Sequence, residues 1–132
     1  MNVNIKWMGK QNFQGETADG QKIIISPNQK ESHVISPPDL LLMSLGSCTG
    51  LFIPPAAKAL GVTIDDFEVS LNGLKSDMPP KLFDKIQITV KFKGNLTRSQ
   101  AQEILEKSHE NCFVLHSLNP NIRIENIIEI QK

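Results

Sequence analysis

Residues 40–53 read LLLMSLGSCTGLFI. The run is apolar on nearly every face of a helix, and a helix of that kind is normally buried on all sides. Small residues within it would let another backbone approach closely: Ser44, Gly46, Ser47 and Gly50. The sequence therefore predicts a long buried central helix, either at the centre of a domain or across a subunit interface.

Both ends of this predicted helix carry boundary signals. Ser36 suits the N-cap, Pro37 suits the first helical position, and Asp39 is placed to close a capping box. At the other end, Pro54 and Pro55 remove two amide donors and push ring atoms against the preceding turn. We expect the helix to kink or stop there and a second short helical segment to follow.

The rest of the chain alternates between strand and helix patterns. Residues 1–25 predict two or three antiparallel strands with a tight turn at Asp19-Gly20, and residues 62–71 and 82–92 predict two more. Residues 97–108 form an amphipathic helical pattern capped by Thr97, and residues 122–130 alternate as a closing strand. The predicted order is β-β-(β)-α-β-β-α-β, an α+β fold in a single domain over residues 1–132.

Charge and hydropathy indicate which classes of partner are disfavoured and which cellular compartment is expected. Fourteen basic residues balance fourteen acidic ones, which disfavours nucleic acid and anionic membranes as partners. The first eight residues lack the apolar core of a secretory signal, and we expect no apolar run of about 18 residues that would span a membrane. These features predict a cytoplasmic protein, in which a disulfide would be transient and functional.

The chain has two cysteines, Cys48 in the apolar run and Cys112 in a later helical stretch. Buried cysteines are most often inert packing, and an apolar site raises the pKa of a thiol. A reactive Cys48 would need a cation, a hydrogen-bond donor or a helix N-terminus beside it. Whether the fold brings the two sulfurs together decides between packing and redox chemistry.

Two histidines flank Cys112. On one continuous helix, His109, Cys112 and His116 would share a face, and with Cys48 they could form a zinc site. The spacing is not a standard zinc motif, so we predict no metal and no cofactor. Alternatively His116 tunes the thiol of Cys112, or neither imidazole takes part in chemistry.

Two segments, SPPDLLLMSLGSC at residues 36–48 and CFVLHSL at residues 112–118, resemble the signature segments of the OsmC-like family. That family includes osmotically induced proteins and organic hydroperoxide resistance proteins. The resemblance implies an intertwined homodimer with active sites at the interface. It also implies that Cys48 attacks a peroxide, that Cys112 resolves the resulting sulfenic acid, and that an external thiol, often a protein-bound lipoyl group, reduces the disulfide.

The chain departs from the active peroxidases of that family at two points. They carry a glutamate where this chain has Asp39, and they also carry an arginine near the N-terminus. Asp39 lies nine residues before Cys48, about 13.5 Å along one straight helix, so a catalytic role would require a bend or a second subunit. Both arginines of this chain, Arg98 and Arg123, come late, which leaves four lysines as possible substitutes: Lys6, Lys10, Lys22 and Lys30.

The leading hypothesis is a dimeric thiol peroxidase that reduces organic hydroperoxides in oxidative-stress defence. Cys48 would be the peroxidatic residue, Cys112 the resolving residue and Asp39 a polar helper. The alternative is a non-catalytic module that binds a small apolar or sulfur-containing ligand at the dimer interface.

Overall fold

A computed structural model of the chain describes residues 1–27 and 33–132. These residues form two compact units, residues 1–41 and residues 42–132. Each unit contains a three-stranded sheet, and helices lie between the strands along the chain, so the predicted α+β class and element order are confirmed. The single domain over residues 1–132 stays a prediction.

The first unit is built on an antiparallel meander of three short strands. They are β1 (Val3–Trp7), β2 (Phe13–Thr17) and β3 (Lys22–Ile25). The turn between β2 and β3 contains Gly20 at φ +95°, a conformation that glycine adopts without steric cost. The predicted strands and the predicted turn at Asp19-Gly20 are both present.

Helix α1 begins in the first unit and continues into the second. The elements are α1 (Pro37–Leu51), α2 (Ile53–Ala59), β4 (Ile64–Lys75), β5 (Phe83–Gly94), α3 (Arg98–Asn111), α4 (Phe113–Ser117) and β6 (Arg123–Gln131). Strand β5 is central, antiparallel to β4 and parallel to β6. Parallel neighbours need a crossover connection, and the segment containing α3 and α4 supplies it.

The core of the second unit lies on one face of β5. Alternate residues of this strand are fully or almost fully buried: Ile86, Ile88, Val90 and Phe92. Residues on one stripe of α3, spaced by three and four, are buried in the same cluster: Ala101, Ile104 and Leu105. Apolar side chains spaced by two in the strand and by three or four in the helix thus pack in one core, as the sequence pattern predicts.

The boundaries of α1 follow the predicted signals. The Ser36 hydroxyl donates to the Asp39 carboxylate at 2.9 Å and accepts from the Asp39 N–H at 3.3 Å. The helix ends at Leu51, and α2 begins at Ile53, just before the two prolines. The predicted cap and the predicted break are both found.

Burial of α1 differs from the prediction. Leu45, Gly46 and Thr49 are buried, whereas Met43 and Leu51 keep 55% and 69% of their surface exposed. The prediction that α1 is buried on all sides is therefore wrong for the single chain, because the core of the second unit covers only one face of the helix. The homodimer that would cover the opposite face stays a prediction.

The expectation that no stretch is long and apolar enough to span a membrane is also wrong. The Pro37–Ala59 segment meets both requirements by length and composition alone. The core helix of a soluble protein passes the same test, and this segment is interrupted at Phe52. Helix α1 alone, with 15 residues, is about 22 Å long, against about 30 Å for the apolar part of a bilayer.

Replacement of Leu45, which is completely buried, should test the packing of α1 in the second unit. We expect Leu45→Ala to lower the free energy of unfolding by about 2–5 kcal/mol, since it removes apolar contacts and leaves a cavity. Denaturant unfolding would measure the loss. Leu74→Ala, at a position 42% exposed on β4, is the matched control and should cost much less; equal losses would contradict the assigned core.

Candidate functional site

The two cysteines lie side by side in the second unit. Cys48 is on α1 and half-buried, while Cys112 is fully buried between α3 and α4. Their thiols are free, and each shifts the pKa of the other through a hydrogen bond between them. The fold therefore brings together the two sulfurs on which the redox hypothesis depends.

A break in the helical backbone creates the pocket for Cys48. Helix α3 ends at Asn111, Cys112 is extended at φ −76° and ψ 104°, and α4 begins at Phe113. The first amides of a helix have no partner within that helix, so they are free to donate elsewhere. Here the backbone amides of Val114 and Phe113 donate toward the sulfur of Cys48.

These donors set the ionisation of Cys48. Burial by itself raises the pKa of this thiol, but the amide of Val114, the thiol of Cys112 and the amide of Phe113 outweigh it. The pKa of Cys48 is therefore lowered from its ordinary value. A thiolate is the reactive form of cysteine, and Cys48 is the thiol of the two that ionises more readily.

Cys112 is shifted in the opposite direction. Burial raises the pKa of its thiol, the Leu115 amide at 3.4 Å from the sulfur lowers it, and the neighbouring Cys48 raises it again. The nearby Thr49 side chain also lowers it. The net effect is a raised pKa, so Cys112 holds its proton more firmly than Cys48 does and is the donor in the hydrogen bond between them.

Thr49 and Ser108 join this site although the sequence analysis did not select them. Both are fully buried, and the Ser108 hydroxyl donates to the Thr49 carbonyl at 2.5 Å, which links α3 to α1. A signal for Ser108 was present in the sequence. It continues the buried stripe of Ala101, Ile104 and Leu105 at a spacing where an apolar residue is expected.

The proposed metal cluster is not formed. Because the helix breaks at Cys112, His109 and His116 do not share a continuous helical face with it, and that prediction is wrong. The Nε2 atom of His109 pairs with the Asn126 amide oxygen at 2.9 Å, and that of His116 pairs with the Glu110 carbonyl at 3.0 Å. Across residues 1–27 and 33–132, no three potential metal ligands gather.

The tuning of Cys112 by His116 is likewise not observed. The groups that shift the pKa of Cys112 are the Leu115 amide, Cys48 and Thr49, and no imidazole is among them.

Comparison with known proteins agrees with this arrangement of helices and strands. The sequence model of the family described as OsmC-like protein matches residues 30–126, well over half of the chain. The chain belongs to the OsmC-like family.

Relatives within the OsmC-like family are distant in sequence. Protein YhfA of Escherichia coli K12 is 25% identical over 132 residues, which cover 98% of each chain. The crystal structure of an OsmC-like protein from Mycoplasma pneumoniae has a TM-score of 0.87 at 14% identity and covers 99% of this chain and 96% of its own.

A second solved structure carries a functional name. The organic hydroperoxide resistance protein OsmC from Legionella pneumophila has a TM-score of 0.78 at 19% identity, and the match covers 98% of this chain and 97% of that one. Because both structures are under 25% identical to this chain, they establish its fold, and the activity has to be argued from its own residues.

The OsmC-like resemblance also named auxiliary residues: Asp39, an arginine and four lysines that could replace it. Asp39 is engaged in the cap with Ser36 in the first unit, and its catalytic role stays a prediction. Arg98 donates to the Ile128 carbonyl. Lys6, Lys10 and Lys22 are in the first unit, and Lys30 lies outside the described residues.

The opposite pKa shifts predict different alkylation profiles for the two thiols. The thiolate is the form that reacts, so a lowered pKa keeps Cys48 reactive at a lower pH, while Cys112 should require a higher pH. Iodoacetamide labelling at a series of pH values, read by peptide mass spectrometry, would give both midpoints. Cys112→Ala removes one donor and should move the pH midpoint of Cys48 labelling upward. In the wild-type protein, a lower pH midpoint for Cys112 than for Cys48 would contradict the assigned pKa shifts.

Proposed function

We propose that this protein is a thiol peroxidase that reduces organic hydroperoxides. The thiolate of Cys48 attacks the terminal peroxide oxygen, the O–O bond breaks, and the departing alkoxide takes up a proton to become an alcohol. Cys48 is thereby oxidised to a sulfenic acid. The sulfur of Cys112 then attacks that of Cys48, forming a disulfide and releasing the oxygen as water.

The observation that carries this proposal is that two adjacent thiols differ in pKa and in exposure. One has a lowered pKa and is half exposed, whereas the other has a raised pKa and is fully buried. A peroxidatic cysteine must be ionised and accessible, and a resolving cysteine must wait beside it. Cys48, with the lower pKa and the more accessible sulfur, suits the first role, and Cys112 suits the second.

The surface around Cys48 supports an organic substrate. Phe113, whose amide donates toward Cys48, leaves 74% of its surface exposed. An exposed apolar side chain beside the thiol favours the hydrocarbon part of an alkyl hydroperoxide over hydrogen peroxide, which has no apolar surface to bury.

A dithiol is a suitable reductant for this scheme. Attack by one of its thiols on the disulfide releases one cysteine and leaves the other in a mixed disulfide, and the second thiol then closes a ring and releases that cysteine. The resemblance to the OsmC-like family suggests a protein-bound lipoyl group, which carries such a dithiol. A cytoplasmic location, as predicted from the sequence, would supply reducing equivalents.

Substitution of each cysteine should separate the two steps. We expect Cys48→Ser to abolish turnover of cumene hydroperoxide with dihydrolipoamide, because a hydroxyl at this position stays protonated. Cys112→Ser should still form sulfenic acid at Cys48 but no disulfide. Peroxide consumption and mass spectrometry of the oxidised protein would measure both outcomes.

The control for this experiment is Ser70→Ala, which removes an exposed hydroxyl from β4 and should turn over at the normal rate. Parallel assays with hydrogen peroxide test the substrate class, and the organic hydroperoxide should give the higher kcat/KM. Turnover that survives Cys48→Ser would reject the peroxidatic assignment.

A binding module is the alternative, and one observation favours it. The pKa of Cys48 is lowered by amides and a thiol, with no cation among the responsible groups. A thiol activated without a cation could react slowly and instead form part of a pocket for an apolar or sulfur-containing ligand. Slow oxidation of both thiols, combined with protection of Cys48 from alkylation by such a ligand, would select this alternative.

The proposed active form is a homodimer with the exposed side of α1 at the interface. Stable interfaces bury about 800 Å² on each partner, and exposed apolar side chains such as Met43 and Leu51 are suited to such a surface. A second subunit would also offer a route by which Asp39 of one chain assists Cys48 of the other.

A charge introduced on this side of α1 should disrupt the dimer. We expect the wild-type protein to sediment as two chains in analytical ultracentrifugation and Leu51→Lys to sediment as one, because a lysine there would have to be desolvated. Leu74→Lys, at an exposed leucine of β4, should remain dimeric. A wild-type protein that sediments as a single chain would contradict the proposal.

A further inference from the structure

The hydroxyl of Thr49 is a buried polar group without an ordinary partner. Thr49 is fully buried, and its Oγ1 atom has no hydrogen-bond partner at normal distance among the described residues. Threonine in a helix commonly donates to a carbonyl three or four residues earlier, and Thr49 does not. An unsatisfied buried hydroxyl is costly, so its position requires an explanation.

The environment of this hydroxyl points to the sulfur of Cys112. Thr49 follows Cys48 directly on α1, and its hydroxyl is near enough to lower the pKa of Cys112 without forming a hydrogen bond to it. The Ser108 hydroxyl holds the Thr49 carbonyl at 2.5 Å, which fixes this turn of α1 against α3. The Leu115 amide donates to the sulfur of Cys112 at 3.4 Å. The Thr49 hydroxyl is thus an unused donor close to a sulfur that already accepts one amide.

We propose that Thr49 is a positioning residue for the second redox step, in which its hydroxyl donates to the sulfur of Cys112 as that sulfur attacks oxidised Cys48. This role rests on the proposed peroxidase function. In that step the S–S bond forms, the S–O bond of the sulfenic acid breaks, and the departing hydroxide takes a proton to become water. Cys112 supplies that proton as it attacks, so its sulfur carries negative charge that a donor stabilises.

The order of events follows from which groups act on Cys112 before and after oxidation. While Cys48 is a thiolate, its charge and its hydrogen bond favour the protonated form of Cys112. Oxidation of Cys48 to the neutral sulfenic acid removes that charge, while the Leu115 amide and the Thr49 hydroxyl remain. Cys112 therefore changes from donor to nucleophile when a sulfenic acid is present to attack.

The first test measures the ionisation of Cys112 without requiring any peroxidase activity. In the Cys48→Ala background, Thr49→Val removes the hydroxyl and keeps the shape of the side chain. We expect the Cys112 midpoint, read from ultraviolet thiolate absorbance, to rise by about one pH unit, or roughly tenfold in thiolate fraction. Thr49→Ser keeps the hydroxyl and should restore the midpoint. Equal midpoints in all three proteins would overturn the proposal.

The second test follows the reaction in the chain with both cysteines. With cumene hydroperoxide, Thr49→Val should form sulfenic acid at the wild-type rate, but disulfide formation should slow and its pH profile should move upward. Dimedone capture at Cys48 would increase correspondingly. If Thr49→Val is unstable, Thr49→Ala provides a second hydroxyl-free variant for both tests. Unchanged disulfide kinetics with normal sulfenic acid formation would overturn the role of Thr49 alone, whereas absence of sulfenic acid in the wild type would instead reject the peroxidase function.

Discussion

The chemistry of this chain depends on the backbone amides of Val114 and Phe113 that donate toward the sulfur of Cys48. These amides are available because α3 stops at Asn111 and a new helix begins at Phe113. An uninterrupted helix would use both amides in its own hydrogen bonds and leave a buried, protonated thiol. The break at Cys112 thus lowers the pKa of a cysteine on α1 that burial alone would raise.

Cys112 is also the residue that stabilises this break. It occupies the N-cap of α4, where its sulfur accepts the Leu115 amide, as a serine or aspartate oxygen would at an ordinary N-cap. The same sulfur donates to Cys48 through its proton. One side chain therefore closes the short helix, lowers the pKa of Cys48 and, in the proposed function, is the resolving thiol. Its replacement would alter all three, so the pKa of Cys48 and the geometry of α4 cannot be varied independently.

Local rules were sufficient to predict most of the fold and part of the site. Ser36, Asp39 and Thr97 are caps because their side chains bond to nearby backbone or to each other, and that pattern is visible within four residues. The helix break after Cys112 has no comparable signal, since no proline or glycine marks it. It becomes visible only in the folded chain, where α3 ends at Asn111 and α4 begins at Phe113. The predicted shared face of His109, Cys112 and His116 failed for this reason.

The activation of Cys48 by neutral donors changes what controls its reactivity. A guanidinium acts through a net charge that salt screens, whereas two amides at a helix start act through short-range dipoles that depend on position. A cation on a long side chain can keep its effect after small movements, but an amide loses its hydrogen bond when the distance or angle degrades. Reactivity in this protein should therefore depend on how firmly α1 and α4 are held together, and the Ser108–Thr49 hydrogen bond, which anchors α1 to α3 one residue from Cys48, contributes directly to that rigidity.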